Sequence, residues 1–208
     1  GRFNLPPLVR NDQPDAVARA RFARLLAALE LEPALLDAIS DWIDADSQVA
    51  PQGAEDLDYL RADPPYRAAN RPFVHVSELR RIRGIDDKVY RLLAPEVSAL
   101  PADVGLNINT MSAVGMMSLA DGISLDLARQ LSRDGQAQYR SMTELVDALA
   151  NAGVTLDPAA IQGLTVSSRY FLARADVELA GRNFTFYSLL QRSGSGGRVL
   201  QRMQSGYE

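Results

Sequence analysis

Between Asp41 and Asp58 the chain reads DWIDADSQVAPQGAEDLD. Carboxylates stand at Asp41, Asp44, Asp46, Glu55, Asp56 and Asp58, and no Lys or Arg occurs between Arg24 and Arg61. The preceding residues, Glu32 to Ile43, carry Leu35, Leu36, Ile39, Trp42 and Ile43 at helical spacing, so this segment is read as an amphipathic helix ending near 44–47. Its opposite face is expected to present Asp37, Asp41 and Asp44, spaced by four and three residues, where like charges repel. The acidic run therefore straddles a helix C-terminus, which already carries partial negative charge. Any fold of this chain must neutralise the run, solvate it or bridge it with a cation.

Oxygen spacing favours the bridge. Counting from Asp44, side-chain oxygens fall at the first, third, fifth and twelfth positions, at Asp44, Asp46, Gln48 and Glu55. This resembles the ligand spacing of an EF-hand calcium loop. Val49 stands where that loop needs glycine, and Pro51 interrupts the short strand it normally forms, so a different loop shape is expected. Spacing alone leaves a calcium loop and a solvated acidic loop both open.

Composition narrows the alternatives. The 208 residues contain no cysteine, which excludes disulfides, thiolate metal sites and cysteine nucleophiles. His75 is the single histidine and has no nucleophile motif beside it, and neither a Walker loop nor a GxGxxG motif is present. A net charge of −4 does not favour binding to polyanions. No apolar run is long enough to span a bilayer. The chain opens abruptly on GRFNLPPLV, as if within a strand, and a preceding N-terminal part carrying a membrane anchor is expected.

In order, residues 2–9 read as a short strand stopped by Pro6-Pro7, and 15–29 as a helix. Residues 77–93 read as two short helices broken at Gly84, with Ser77 as N-cap. LNINT (106–110) reads as a short extended segment, and 114–131 as a second helix pair broken at Gly122. A weak repeat links Phe73, Ser77-Glu78-Leu79 and Gly84-Ile85 to Tyr139, Thr143-Glu144-Leu145 and Gly153-Val154. After Gly163 the pattern alternates, and three antiparallel strands are expected, with Gly181 and Asn183 at one turn and SGSGG at the next. The first strand is expected to join that sheet. The organisation is then α+β: residues 1–9 the first strand, 10–160 a helical insertion, 161–208 the remaining strands. The glycine-broken helix pairs also fit helix-hairpin-helix modules that bind DNA phosphates, with Arg80, Arg81, Arg83 and Lys88 nearby; this nucleic-acid reading is the alternative.

The motifs DWIDAD, GAED, PPYRAANRPF, SELRRIRGID and LNINT, with the closing strands SSRYF and FYSLL, resemble the minor pseudopilin K (GspK) family of bacterial type II secretion systems. The resemblance implies a pilin-like fold with a large inserted helical domain of SAM-like or helix-hairpin-helix-like units. It implies a non-enzymatic role at the pseudopilus tip, capping and initiating the fibre together with minor pseudopilins I and J. The major pseudopilin below and exported substrates are further contacts in that reading. It places the head in the periplasm, anchored to the inner membrane by an N-terminal hydrophobic helix made after a prepilin leader. It also implies structural calcium on the helical domain. Carried to this sequence, the ligands are Asp44, Asp46, Glu55 and Asp56, with Asp41 and Gln48 as secondary candidates.

Overall fold

A computed structural model describes residues 1–194 and 196–204. The chain divides into two compact units, Gly1–Val166 and Ser167–Glu208.

The first unit begins with strand β1 (Phe3–Asn4). Pro6 and Pro7 cannot extend a ladder, and the chain turns instead into a short 3₁₀ helix, Pro6–Leu8. Strands β2 (Val9–Arg10) and β3 (Gln13–Pro14) pair as a hairpin across Asn11-Asp12, both with positive φ. This is the backbone such a two-residue turn requires. Helix α1 (Ala16–Ala28) is capped by the Asp15 carboxylate, which accepts the Ala18 N–H at 2.9 Å. Helix α2 (Leu35–Ile43) follows, then α3 (Asp56–Tyr59) and α4 (Asp87–Leu93). Phe22, Leu25, Leu26, Ile39, Leu79 and Leu93 are sealed in one core with Phe3, Leu5 and Leu8. Strand β4 (Val97–Ser98) closes it by pairing in parallel with β1.

That pairing corrects the expected topology: among the described residues, the first strand does not join the C-terminal strands. Phe3, Leu5 and Leu8 are all buried in the helical core. Asn4 is fixed there too, because its Nδ2 donates to the carbonyls of Leu100 and Pro101 at 3.0 and 2.9 Å. Among the described residues, the strand partners of Phe3 and Asn4 are Val97 and Ser98.

A second core in the same unit is built from β5 (Leu106–Asn107), α5 (Ala113–Met117), α6 (Leu125–Ser132), α7 (Met142–Asn151) and α8 (Pro158–Ile161), with β6 (Leu164–Thr165) parallel to β5. Ile108, Met116, Leu119, Ala128, Leu145 and Leu149 fill it. LNINT is extended only at Leu106–Asn107 and then turns as 3₁₀.

The internal repeat is visible in three dimensions. Val74 N–H donates to Glu78 at 2.7 Å, and Arg140 N–H donates to Glu144 at 2.9 Å. Leu79 and Leu145 are fully buried, and Gly84 and Gly153 both turn the chain at positive φ before the buried Ile85 and Val154. The copies differ at their caps. His75, not Ser77, caps the first, its Nδ1 accepting the Ser77 N–H at 3.1 Å, and the element is a 3₁₀ helix over Val76–Arg81. Ser141 caps the second, which is α7.

The second unit is an antiparallel sheet of β7 (Tyr170–Leu179), β8 (Arg182–Ser193) and β9 (Gly196–Gln204), in that order. Its first turn is Ala180-Gly181, both with positive φ, while Asn183 lies inside β8. Within the expected SGSGG turn, Ser195 lies outside the described residues. No helix among the described residues is long and apolar enough to cross a membrane.

Candidate metal centre

The apolar stripe of α2 fixes where its carboxylates go. Trp42 is buried and meets Tyr59 edge-on with ring centroids 5.3 Å apart, and Tyr59 stacks on Tyr66 at 5.3 Å. These three rings join the end of α2 to α3 and to the segment before Asn70. The loop 44–55 is thereby folded back over α2. Its turn closes through Gly53 N–H to the Ala50 carbonyl at 2.9 Å, and Asp41 Oδ2 accepts the Ala50 N–H at 3.1 Å. A Cβ added at Gly53 would stand 1.9 Å from Asp41 Oδ2, so only glycine allows the loop to approach this closely.

The structure sorts the acidic residues into two sets. Asp37 pairs with Arg19 at 2.8 Å, Asp56 with Arg67 at 2.9 Å and Asp58 with Arg83 at 3.4 Å. Arginines distant in sequence thus neutralise part of a run that has none of its own. The second set is Asp41, Asp44, Asp46 and Glu55, for which no guanidinium partner is found among the described residues.

Within that set, Asp44, Asp46 and Glu55 converge, each presenting a carboxylate oxygen within 4.8 Å of the others. Glu55 is 3% exposed. Both of its carboxylate oxygens, and Oδ1 of Asp44, are buried without a hydrogen-bond partner. Burial, followed by the charges of Asp44 and Asp41, pushes the Glu55 carboxyl up to about 7. Burial, then Asp46, Asp41 and Asp12, pushes Asp44 up to about 6. Burial chiefly raises Asp41 as well.

The remaining candidates are placed differently. Asp41 was expected on the solvent face of α2 but is 2% exposed, because the loop covers it, and its carboxylate holds loop amides. Asp56 points to Arg67 and accepts the Ala68 N–H at 3.0 Å. Gln48 is exposed, and its N–H donates to Asp46 Oδ1 at 2.7 Å, an Asx turn that orients Asp46. Positions one, three and twelve of the EF-hand count therefore meet, while Gln48 at position five is exposed. Asn70, unmarked in the sequence, is tied to α2 through its N–H to the Trp42 carbonyl at 3.1 Å, and its Oδ1 is another buried acceptor without a donor. Its positive φ could not be read from residue type alone.

The donor set is all carboxylate oxygen. Calcium binds such oxygens at about 2.3–2.6 Å, so two ligands of one ion stand at most about 5 Å apart. The cluster meets that limit, and its orphaned oxygens are acceptors that a hard cation would satisfy.

Three of the four basic residues around Gly84 are engaged within the chain. Arg80 bonds Asp87 and lies over the Tyr90 ring, Arg81 lies over Tyr66, and Arg83 pairs with Asp58.

Comparison with known proteins agrees with this architecture. Residues 1–102 match the family described as type II secretion system (T2SS), protein K. The chain is 38% identical over 213 residues to a type II secretion system protein K of Pseudomonas aeruginosa, covering 97% of this chain and 61% of that protein. It is 33% identical over 216 residues to the protein of that name from Pectobacterium carotovorum subsp. carotovorum, covering 100% and 65%. It thus spans less than two thirds of the length of either relative. Its fold matches a chain in the crystal structure of the GspK-GspI-GspJ complex from the enterotoxigenic Escherichia coli type 2 secretion system. The TM-score is 0.82 at 27% identity, covering 99% of this chain and 76% of that one. Residues 1–102 thus carry the domain of the type II secretion system protein K family, and nearly the whole chain is similar to proteins of that name.

Proposed function

We propose that this chain is the folded head of a minor pseudopilin, which assembles with minor pseudopilins I and J at the tip of the type II secretion pseudopilus and begins or caps the fibre during protein export. The observation that carries this is the fold match over nearly the whole chain to a component of the GspK-GspI-GspJ crystal structure. The role is mechanical and non-enzymatic, and the head works in the periplasm. The engagement of Arg80, Arg81 and Arg83 within the chain gives no support to the nucleic-acid alternative. Co-purification of the head with the heads of pseudopilins I and J tests the reading. A stable complex is expected, and its absence at micromolar concentrations would reject the assignment.

The finer fold reading is a pilin-like sheet covered by the hydrophobic anchor helix. The second unit supports it. Pairing places Leu190 between Phe171 and Val199, Ala175 opposite Phe186, and Val177 opposite Phe184, all on one face. Phe171, Val177, Phe186 and Val199 on that face are 40–45% exposed. Three strands with such a face need a covering layer.

Calcium is the proposed structural ligand, held by Asp44, Asp46 and Glu55. The ion would neutralise three converging carboxylates and satisfy buried oxygens, stapling loop 44–55 to α3 in a protein without disulfides. Asp41 and Gln48 act as positioning residues that hold the loop and orient Asp46; Asp56 anchors α3 to Arg67. Calcium binding to the folded state raises stability by about 2.7 kcal/mol at a hundredfold excess over Kd. A higher melting temperature in calcium than in chelator is expected, and identical curves would sink this proposal.

A further inference from the structure

Arg21 is 7% exposed, yet among the described residues it has no carboxylate within salt-bridge distance. Its Nη2 donates to the Ala160 carbonyl at 2.7 Å and to the Gln162 carbonyl at 3.3 Å. Its Nε is buried with no hydrogen-bond partner. Asp15 is the nearest compensating charge, but it is committed to the Ala18 N–H and to Arg10 Nε at 2.8 Å. Burial is the main force depressing the guanidinium, to about 10. A buried arginine normally finds a bidentate carboxylate, and here that partner is missing among the described residues.

The same arginine lines a cavity of about 600 Å³ between α1, β1 and the turn at Gln162-Gly163. That volume falls in the range of small-ligand sites. Arg10 and Asp15 also border it, so the charged lining sums to one excess positive charge. Phe3, Val17, Val104 and Leu106 supply an apolar wall. Asn4 borders the space as well, but its side chain is fully used on Leu100 and Pro101.

We propose that this cavity is a binding site for a carboxylate carried on a small apolar body, received by the guanidinium groups of Arg21 and Arg10. The carboxylate supplies the counter-charge that Asp15 cannot, and the apolar body covers the wall opposite. The chemistry is shared by a free organic acid and by the C-terminal residue of a peptide chain. The site is separate from the acidic loop and does not depend on the calcium proposal.

The test follows the arginine Nε–H resonances of ¹⁵N-labelled protein during titration. Benzoate represents the free acid and N-acetyl-phenylalanine the chain terminus; benzamide and N-acetyl-phenylalanine amide are the uncharged controls. Both acids are expected to shift the Arg21 signal saturably, with the amides about tenfold weaker or more, the loss that follows from a charge-assisted hydrogen bond. Tighter binding of benzoate assigns a free acid, and tighter binding of N-acetyl-phenylalanine assigns a chain terminus. Arg21→Lys should weaken either acid by about tenfold because a point charge loses the fork geometry. Val104→Trp, which leaves the guanidinium untouched, should abolish the shift by filling the space. No saturable shift, equal binding of acids and amides, or unchanged binding in Val104→Trp would each overturn the proposal.

Discussion

At pH 8 in chelator, the carboxylates of Asp44 and Glu55 are charged, buried and mutually repulsive. Their folded-state pKa values, about 6 and about 7, lie above the ordinary 3.8 and 4.5. The folded protein therefore binds protons that the unfolded chain releases. Stability from these groups is fully present below about pH 4 and is lost as pH rises through 6 to 7. In chelator the melting temperature contributed by this loop should rise as pH falls from 8 to 5, and the increment given by calcium should shrink over the same range. A pH-independent increment would contradict it. Glu55→Gln should raise the melting temperature in chelator while removing most of the calcium increment, whereas a residue serving only to pack would lower it in both conditions. Gly53→Ala should cost about 1–3 kcal/mol by urea denaturation, because the new methyl displaces the Asp41 carboxylate from the Ala50 amide. That Asp44, Asp46 and Glu55 converge was legible from oxygen spacing. The separation of Asp44, Asp46 and Glu55 from Asp56 was not, because it depends on Arg67, Arg83 and Arg19, which approach from elsewhere in the chain.

Elements built on local signals follow the sequence closely. Asp15 before an apolar-periodic run starts α1, and Ser124 and Ser141 start α6 and α7. The alternating C-terminal segments form three strands close to where they are expected. What local pattern missed is the cap of the first repeat. His75 takes it because Glu78 reaches back to the Val74 and His75 N–H groups at 2.7 and 3.0 Å, fixing the cap two residues before the expected Ser77. Arg71 also pairs with Glu78 at 3.2 Å. In the second copy only the Arg140 N–H is held by Glu144. Glu78→Ala should therefore cost more than Glu144→Ala, each within about 0.5–2 kcal/mol. Because the two sites lie in different cores, the double variant should show the sum of the two losses in urea. A large coupling term would mean that the two copies communicate.

At the scale of the molecule, the expected sheet membership of residues 2–8 failed because strand pairing across a long separation leaves no mark in local periodicity. The three-stranded sheet, in contrast, forms through two adjacent hairpins that the sequence announces by itself. Its apolar face sets a prediction of its own. Phe186→Ser should reduce binding of a hydrophobic dye and self-association, with the melting of residues 1–166 unchanged; lower stability throughout would instead place Phe186 in a core. The parallel pairing of Phe3-Asn4 with Val97-Ser98 has a consequence for the order of events. It makes the first core a closed circuit in sequence, nearly coextensive with the residues 1–102 that match the family. A chain delivered from its N-terminus cannot complete that circuit until residue 98 arrives. The acidic loop therefore arrives while its core is still open, so the proposed calcium would meet its carboxylates before that core closes.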